Sequence, residues 1–403
     1  MQNTVEATTS LRLKKGKERP LLQSHHWIFS GAIDSLNPRK SGEIVPVHSY
    51  NGEKLGYAMV GTGQSIVAHM ISFGDELPLA AIEKRIAEAI ALRNRIFHLN
   101  EEVVATASET NAFRLINAEG DGIPGLIVDS YANRLVMQIS HPALELIKSE
   151  IISLLVNLVN PISIFEKSTS FLRKKEGMGE IRAHLYGDPN PEVEVLENNL
   201  SYAVHLLDGQ KTGLFLDQRE MRSLVRDLAK DKTVLNCFAY TGGFSVAALA
   251  GDAALVDSVE ISVRCAPLVA RNLELNGIDS AKHRFLCEDA IAFVAKSPLN
   301  YDLVILDPPA FVKKKQDIDK AFRAYKELNR TALAKLKPNS LLLTCSCSYH
   351  VGEELFQNIL FRASLEAGRR VRILSRHRQA LDHPVNIFHP ESTYLKSLLV
   401  HVE

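Results

Sequence analysis

Thr233-Val-Leu-Asn-Cys-Phe-Ala-Tyr-Thr-Gly-Gly-Phe-Ser245 decides the fold class of this 403-residue chain. A short apolar run, Thr233 to Asn236, enters a loop with two adjacent glycines. It leaves as the apolar stretch Val246 to Ala250, which reads as a helix. Strand, glycine turn and helix form the opening unit of a doubly wound α/β domain. Paired glycines let the backbone approach a ligand closely. A dinucleotide fingerprint needs a third spaced glycine opening the helix. Phe244 follows Gly243 here and no glycine stands at that spacing, which argues against a dehydrogenase.

The rhythm repeats downstream. Ala254 to Val259 runs into Glu260, and Phe285 to Glu288 runs into Asp289 and Ala290. Tyr301 to Leu306 runs into Asp307-Pro-Pro-Ala-Phe311. Strands alternating with helices imply a parallel sheet, and ligands bind at the carboxyl ends of its strands. A carboxylate ending the second strand can accept hydrogen bonds from ribose hydroxyls. One ending the third can take the exocyclic amine of an adenine. The expected cofactor is S-adenosylmethionine. Its contacts are Asn236, Phe238, Tyr240, Thr241 and Gly242 in the glycine loop, then Glu260, Asp289, Ala290 and Asp307.

A fifth strand, Ser340-Leu-Leu-Leu-Thr-Cys-Ser-Cys-Ser348, ends in small polar residues. It places Cys347 near Asp307, and the strand reading sends the Cys345 and Cys347 side chains to opposite faces. A thiol there suits methylation at C5 of a pyrimidine. That carbon is a poor nucleophile until a thiolate adds at C6 and makes it enamine-like. Cys347 is the candidate nucleophile, with Asp307 a contact to the base or a proton acceptor. The plainer reading, that a cysteine is a small buried core residue, suits Cys345.

Asp188-Pro-Asn-Pro-Glu192 reads as a linker, and the pattern changes on its N-terminal side. Leu11 to Gly74 carries short β-prone runs between turn signals such as Asn51-Gly52. A helix is expected from Leu79 to His98, with Ile82, Ile86, Ala89 and Ile90 opposed by Lys84, Arg85 and Arg93. A tight turn follows within Phe113 to Asp129, then an amphipathic helix over Leu144 to Val159 and a strand over Ile162 to Phe165. Lys14, Lys15, Lys17 and Arg19 lie ahead of Trp27, which reads either as a solvated loop beside a buried tryptophan or as an RNA-contact surface. Arg173, Lys174 and Lys175 form a second basic run, expected to be a solvated loop or a further RNA contact.

Hydrophobic residues at 46% and charged residues at 23% fit a globular protein and exclude global disorder. Lys+Arg and Asp+Glu each number 47, so a nucleic-acid partner would need local basic patches rather than net charge. The five cysteines match neither a disulfide framework nor a zinc spacing, and no metal is expected. Nothing resembles a signal peptide or a membrane span, so the expected location is cytoplasmic.

Taken together these motifs closely resemble the bacterial large-subunit ribosomal RNA 5-cytosine methyltransferase family with an N-terminal PUA domain. The resemblance covers nearly the whole chain. It is carried by His26-Trp-Ile-Phe-Ser-Gly-Ala32, Glu119-Gly-Asp-Gly-Ile-Pro-Gly125, Arg173-Lys-Lys-Glu-Gly-Met178 and Lys211-Thr-Gly-Leu-Phe-Leu-Asp-Gln-Arg219. Leu235 to Phe244, Asp307 to Phe311, Ser346 to Ser348 and Arg378 to Pro384 complete it. The resemblance implies an α/β chain. Its parts would be a β-rich PUA RNA-binding domain over 1–75, a central α+β domain over 76–190 and a class I, Rossmann-like methyltransferase domain over 191–403. It implies that Phe215, Asp217, Gln218 and Arg219 lie near the cofactor. It further implies RNA-binding residues Lys14, Lys15, Arg19, Trp27, Arg173, Lys174 and Lys175, a 23S rRNA substrate, and a homodimer among the expected states. Related chains keep Cys347 but often carry an aromatic residue in place of Cys345. Other cytosine-C5 enzymes have a second cysteine beside the proline of the fourth-strand motif, and neither Pro308 nor Pro309 is accompanied by one.

Two other functions stay open on the sequence. Relatives that methylate guanine share most of these motifs, and Asp-Pro-Pro followed by Phe311 also suits holding an amino group to a methyl donor. An RNA-binding assembly protein with a vestigial cofactor site is the third reading, opposed by the intact acidic and glycine positions.

Overall fold

The computed structural model describes residues 10–37, 40–63, 65–99, 109–311 and 315–403. They group into two compact units. The first holds Met1–Val193, Val204–Leu214 and Leu381–Ser392; the second holds Glu194–Ala203, Phe215–Ala380 and Thr393–Glu403.

The second unit is built on a seven-stranded sheet. Its strands are β1 (Thr233–Cys237), β2 (Leu255–Val259), β3 (His283–Leu286), β4 (Leu303–Leu306), β5 (Ser340–Ser346), β6 (Val371–His377) and β7 (Lys396–Val402). Their spatial order is β3-β2-β1-β4-β5-β7-β6. The first five are parallel, and β7 enters antiparallel between β5 and β6. Strand order reverses between β1 and β4, the switch point where a crevice opens at the carboxyl ends of an open α/β sheet. The inner strands β4 and β5 are near-continuous apolar runs, as expected where helices cover both faces, whereas the edge strands β3 and β6 are not. Val304 and Leu306, for example, pack with Tyr325 and Leu328 of helix Ile318–Lys335 and with Phe356 and Ile359 of helix Glu353–Glu366.

A hairpin from the segment before the sheet docks on helix Ala266–Leu275. Asn272 Oδ1 accepts from the Ala203 amide at 2.8 Å, and Asn276 Oδ1 accepts from the Ser201 amide at 2.9 Å. Glu197 on that hairpin forms a buried two-point pair with Arg222 of helix Arg219–Leu228, both contacts at 2.6 Å. Burying two charges is tolerable here because each oxygen of the carboxylate meets a guanidinium nitrogen.

The first unit contains a six-stranded sheet within Ser10–Phe73 and a five-stranded sheet within Ala112–Gly187. The β-prone runs read from sequence lie in strands Ile44–His48, Lys54–Val60 and Ile66–Phe73. Helix Pro78–Phe97 buries Ile82, Ile86 and Ala89 in one core with Met59 and Ile71 from the first sheet and Leu126 and Met137 from the second. The first sheet also keeps a core of its own around Leu11, Val47, Ala58 and Met70, so the two sheets share only part of their packing.

Arg93 departs from its expected place on the polar face of that helix. It is fully buried, with Nε donating to the Arg114 carbonyl at 2.8 Å and both terminal nitrogens donating to Asp121 at 2.7 and 2.8 Å. A guanidinium whose donors are satisfied can lie inside, and helical periodicity cannot report those partners. The helix expected over Leu144 to Val159 is two pieces, Pro142–Leu146 and Lys148–Val159, with Ile147 between them. Among the described residues no helix is long and apolar enough to cross a membrane.

Candidate active site

The glycine loop leaves β1 through backbone that L-residues seldom adopt. Phe238 and Tyr240 have φ of 61° and 49°, and Gly242 has φ of 77° before helix Gly243–Ala250 begins. Non-glycine residues in the left-handed region are uncommon, and such conformations cluster at ligand sites. Glu260, at the end of β2, fixes this loop. Its Oε2 accepts from the Tyr240 amide at 2.9 Å and its Oε1 from the Ser262 amide at 3.0 Å. Each oxygen keeps a further lone pair, so the carboxylate can still take ribose hydroxyls.

The other sequence-expected residues fall around the same strand ends. Asp307 follows β4, and its Oδ2 accepts from Gln218 Nε2 at 3.1 Å. Phe215 lies edge-on to Tyr240 at 5.5 Å between ring centroids. Asp217 is buried and accepts from the Tyr394 hydroxyl at 2.6 Å. The structure thus draws Phe215 and Gln218, from just before helix Arg219–Leu228, beside the ends of β1 and β4, while Asp217 is held by Tyr394 next to β7. Arg219 is buried with Nε 3.7 Å from Glu197. Asn236 lies beneath the loop, its Nδ2 donating to Ser245 at 2.9 Å, while its buried Oδ1 has no hydrogen-bond partner. Asp289 is exposed and caps helix Ala290–Lys296 through Oδ1 and the Ala292 amide at 2.8 Å. One oxygen is thereby committed to the cap, and the other is left for a ligand. Thr241 is buried and its carbonyl accepts from Asn272 at 2.9 Å.

These groups fit S-adenosylmethionine: carboxylates on successive strand ends for hydroxyl and amine donors, acidic Asp217 and Asp307 on the side of a cationic donor, and a loop that a Cβ at Gly242 would crowd. A Cβ there would meet Val269 at 3.0 Å.

Comparison with known proteins agrees. A family model for S-adenosylmethionine-dependent methyltransferases matches residues 172–376, and one for a PUA-like domain matches residues 11–73. The ribosomal RNA large subunit methyltransferase I of Alteromonas mediterranea is 35% identical over 97% of this chain and 98% of its own. That of Tolumonas auensis is 36% identical over 98% and 99%. The chain belongs to the ribosomal RNA large subunit methyltransferase I family. A solved S-adenosylmethionine-dependent methyltransferase from Streptococcus mutans covers 98% of this chain and 100% of its own at 27% identity, with a TM-score of 0.83. A second solved methyltransferase, complexed with S-adenosylhomocysteine, gives 26% identity over the same shares and a TM-score of 0.84. This member of the ribosomal RNA large subunit methyltransferase I family is therefore a class I methyltransferase that uses S-adenosylmethionine, with a PUA-like N-terminal domain.

In this family member the two thiols differ in setting. Cys347 lies just past β5, half-buried, with Sγ 3.9 Å from the Pro308 carbonyl. Cys345 is fully buried, and desolvation pushes its thiol well up, with Asp307 adding to the rise. The expected opposite facing of the two fails. Side chains two positions apart share a face of a strand, and Asp307 and Cys347 both act on Cys345.

Lys396 was not anticipated from sequence. It opens β7 opposite Ser346, is buried, and donates to the carbonyls of Ser348 and Tyr394 at 2.7 Å each. Burial lowers its ammonium to about 8, and the neighbouring Cys347 works against that fall. A lysine inside the apolar run Leu395 to Val402 was the available signal.

The basic run is also corrected. Phe171–Lys175 is a short helix rather than an open loop, and Arg173 is buried in it. Arg173 donates to the Ile139 carbonyl at 3.0 Å and to Glu145 at 2.7 Å, so it holds structure and offers nothing to RNA. Lys174 and Lys175 are exposed, as are Lys14, Lys15, Lys17 and Arg19. Trp27 is half-buried, its Nε1 donating to Glu119 at 3.4 Å.

Proposed function

We propose that this chain forms 5-methylcytosine in large-subunit ribosomal RNA through a covalent bond between Cys347 and C6 of the base. The observation that supports it most is the half-buried Cys347 Sγ, 3.9 Å from the Pro308 carbonyl, with the buried Lys396 Nζ on the carbonyl of the next residue, Ser348, at 2.7 Å. The thiolate is the active form of such a nucleophile.

The residues then divide the work. Cys347 adds to C6 and turns C5 into an enamine-like carbon. When bound, S-adenosylmethionine supplies the electrophilic methyl group at the ends of β1 and β4. Glu260 and Asp289 hold the cofactor's ribose and adenine, while Phe215 and Tyr240 wall the glycine loop. Asp307, steadied by Gln218, contacts the base and accepts the C5 proton. Loss of that proton expels the Cys347 thiolate and restores the ring. The base must be unstacked to reach the site. Lys14, Lys15, Arg19, Lys174 and Lys175, with Trp27, bind RNA without taking part in chemistry. The functional parts follow the ranges 1–75, 76–190 and 191–403.

RNA carrying 5-fluorocytosine at the target tests the mechanism, because fluorine cannot leave as a proton does. Wild-type protein should give a covalent adduct resistant to denaturation. Cys347→Ala should lose both adduct and turnover, and Cys345→Ala should keep both. Full methylation by Cys347→Ala would sink the covalent route and favour methylation of a base nitrogen. Adduct loss in Cys345→Ala alone would move the nucleophile by two residues.

A further inference from the structure

Outside the methyltransferase sheet, three ligand-type side chains meet in the first unit. His25 precedes the strand Trp27–Phe29, while His389 and Glu391 lie at the turn Pro390–Ser392. One ring nitrogen of each histidine and a Glu391 carboxylate oxygen all lie within 4.8 Å of one another. Glu391 Oε2 is 3.5 Å from His25 Nε2 and 3.9 Å from His389 Nδ1.

Those separations are too long for direct hydrogen bonds. His389 is 1% exposed, and both its Nδ1 and Glu391 Oε2 are buried without a hydrogen-bond partner. Two buried polar atoms left without a partner in one cluster are costly unless something binds there. Nitrogen and carboxylate ligands about 2.0–2.2 Å from a zinc-type ion stand roughly 3.3–3.6 Å apart in a tetrahedral set. The two spacings to Glu391 Oε2 lie in that range or a few tenths of an ångström above it.

We propose that His25, His389 and Glu391 bind one divalent transition-metal ion of the zinc type, through Nε2, Nδ1 and Oε2 respectively. Two imidazoles and one carboxylate suit zinc and its neighbours and not magnesium or calcium, which take oxygen ligands. Ligation through Nε2 moves the His25 ring proton to Nδ1. The Trp27 amide, now 3.2 Å from that nitrogen, gives up a long hydrogen bond in exchange. The Trp27 ring, 4.5 Å from His389 and nearly perpendicular to it, walls one side. The half-exposed Glu391 leaves a way in for the ion. Bound there, the ion ties residues 389–391 to the start of the chain. This site is independent of the cofactor crevice and of the cytosine mechanism.

The test uses the full chain, stripped with a chelator and titrated calorimetrically with zinc chloride. One equivalent should bind, and thermal unfolding should shift upward with zinc. His389→Ala and Glu391→Gln should each weaken binding at least tenfold and remove the zinc-dependent shift. Cobalt(II) added to wild type reads the ligands without any mutation. A d–d spectrum of tetrahedral strength and no thiolate-to-cobalt band supports the site. A thiolate band places the ion on cysteines and overturns the proposal. So does the absence of saturable binding, or equal affinity in both variants.

Discussion

Glu260 holds the Tyr240 and Ser262 amides with its two carboxylate oxygens, and the proposed function gives the remaining lone pairs to a ribose. Glu260→Ala should therefore weaken S-adenosylmethionine binding by roughly 1–3 kcal/mol, the range for removing charge-assisted bonds. Calorimetric titration reads this directly, and an unchanged dissociation constant would remove Glu260 from the site. The position of Glu260 was legible in sequence because an acidic residue ending the second strand is a local feature. The link to Tyr240 was not, because it joins two strand ends twenty positions apart. Lys396 shows the same limit. Its strand reads as apolar, and only the antiparallel insertion of β7 beside β5 brings its ammonium to the Ser348 carbonyl, one residue past Cys347.

At the scale of elements, the glycine loop runs through left-handed backbone at Phe238, Tyr240 and Gly242. Gly242→Ala would force a Cβ into left-handed backbone at about 1–2 kcal/mol and press it on Val269. The variant should melt roughly 2–8 °C lower and bind S-adenosylmethionine more weakly, given about 2–4 °C per kcal/mol in a domain of this size. Differential scanning fluorimetry with and without cofactor checks both; a wild-type melting point with wild-type affinity would show that the loop tolerates a side chain. The loop was the clearest element in the sequence. Helix Pro78–Phe97 was nearly as clear in extent, yet the placement of Arg93 was not. Periodicity gives the apolar stripe, whereas a buried arginine depends on acceptors from Arg114 and Asp121.

At the scale of the molecule, burial of histidines sets an acid limit. His69 and His141 are buried with rings 5.0 Å apart; desolvation holds His141 at about 4 and His69 well below its usual value. Between about pH 6.5 and 4 the unfolded chain binds protons that the folded chain refuses. Stability should be flat above that window and fall by up to about 1.4 kcal/mol per pH unit per histidine within it. Urea melts at pH 7, 6 and 5 test this, and replacing His141 with Gln should flatten the slope; equal midpoints would contradict it.

RNA affinity is also a property of the whole chain, and the shared core of Met59, Ile71 and Ile82 dictates how to test it. Removing residues 1–74 would open that core, so charge substitution is the cleaner probe. Changing Lys14, Lys15, Arg19, Lys174 and Lys175 to Gln should lower RNA affinity uniformly across sequences. The salt slope should drop by about 0.7 for each phosphate of single-stranded RNA that the variant no longer neutralises. Filter binding at several salt concentrations reads both, with cofactor affinity as the control; an unchanged slope would place the RNA surface elsewhere.

The sequence by itself determined what depends on neighbours along the chain. The alternation of strands and helices, the glycine turn, the acidic strand ends, Asp307-Pro308-Pro309 and the thiol after β5 all belong to segments a few residues long. Backbone geometry and side-chain period act at that range. Tertiary structure alone decided which charges lie inside and which distant residues meet. Arg173 left the RNA-contact set because Ile139 and Glu145 hold it. The Glu197–Arg222 pair and the meeting of residue 25 with residues 389 and 391 carry no local signal at all. A buried charge or a ligand set is stable only when its partners arrive from elsewhere, and their arrival is a consequence of the completed fold.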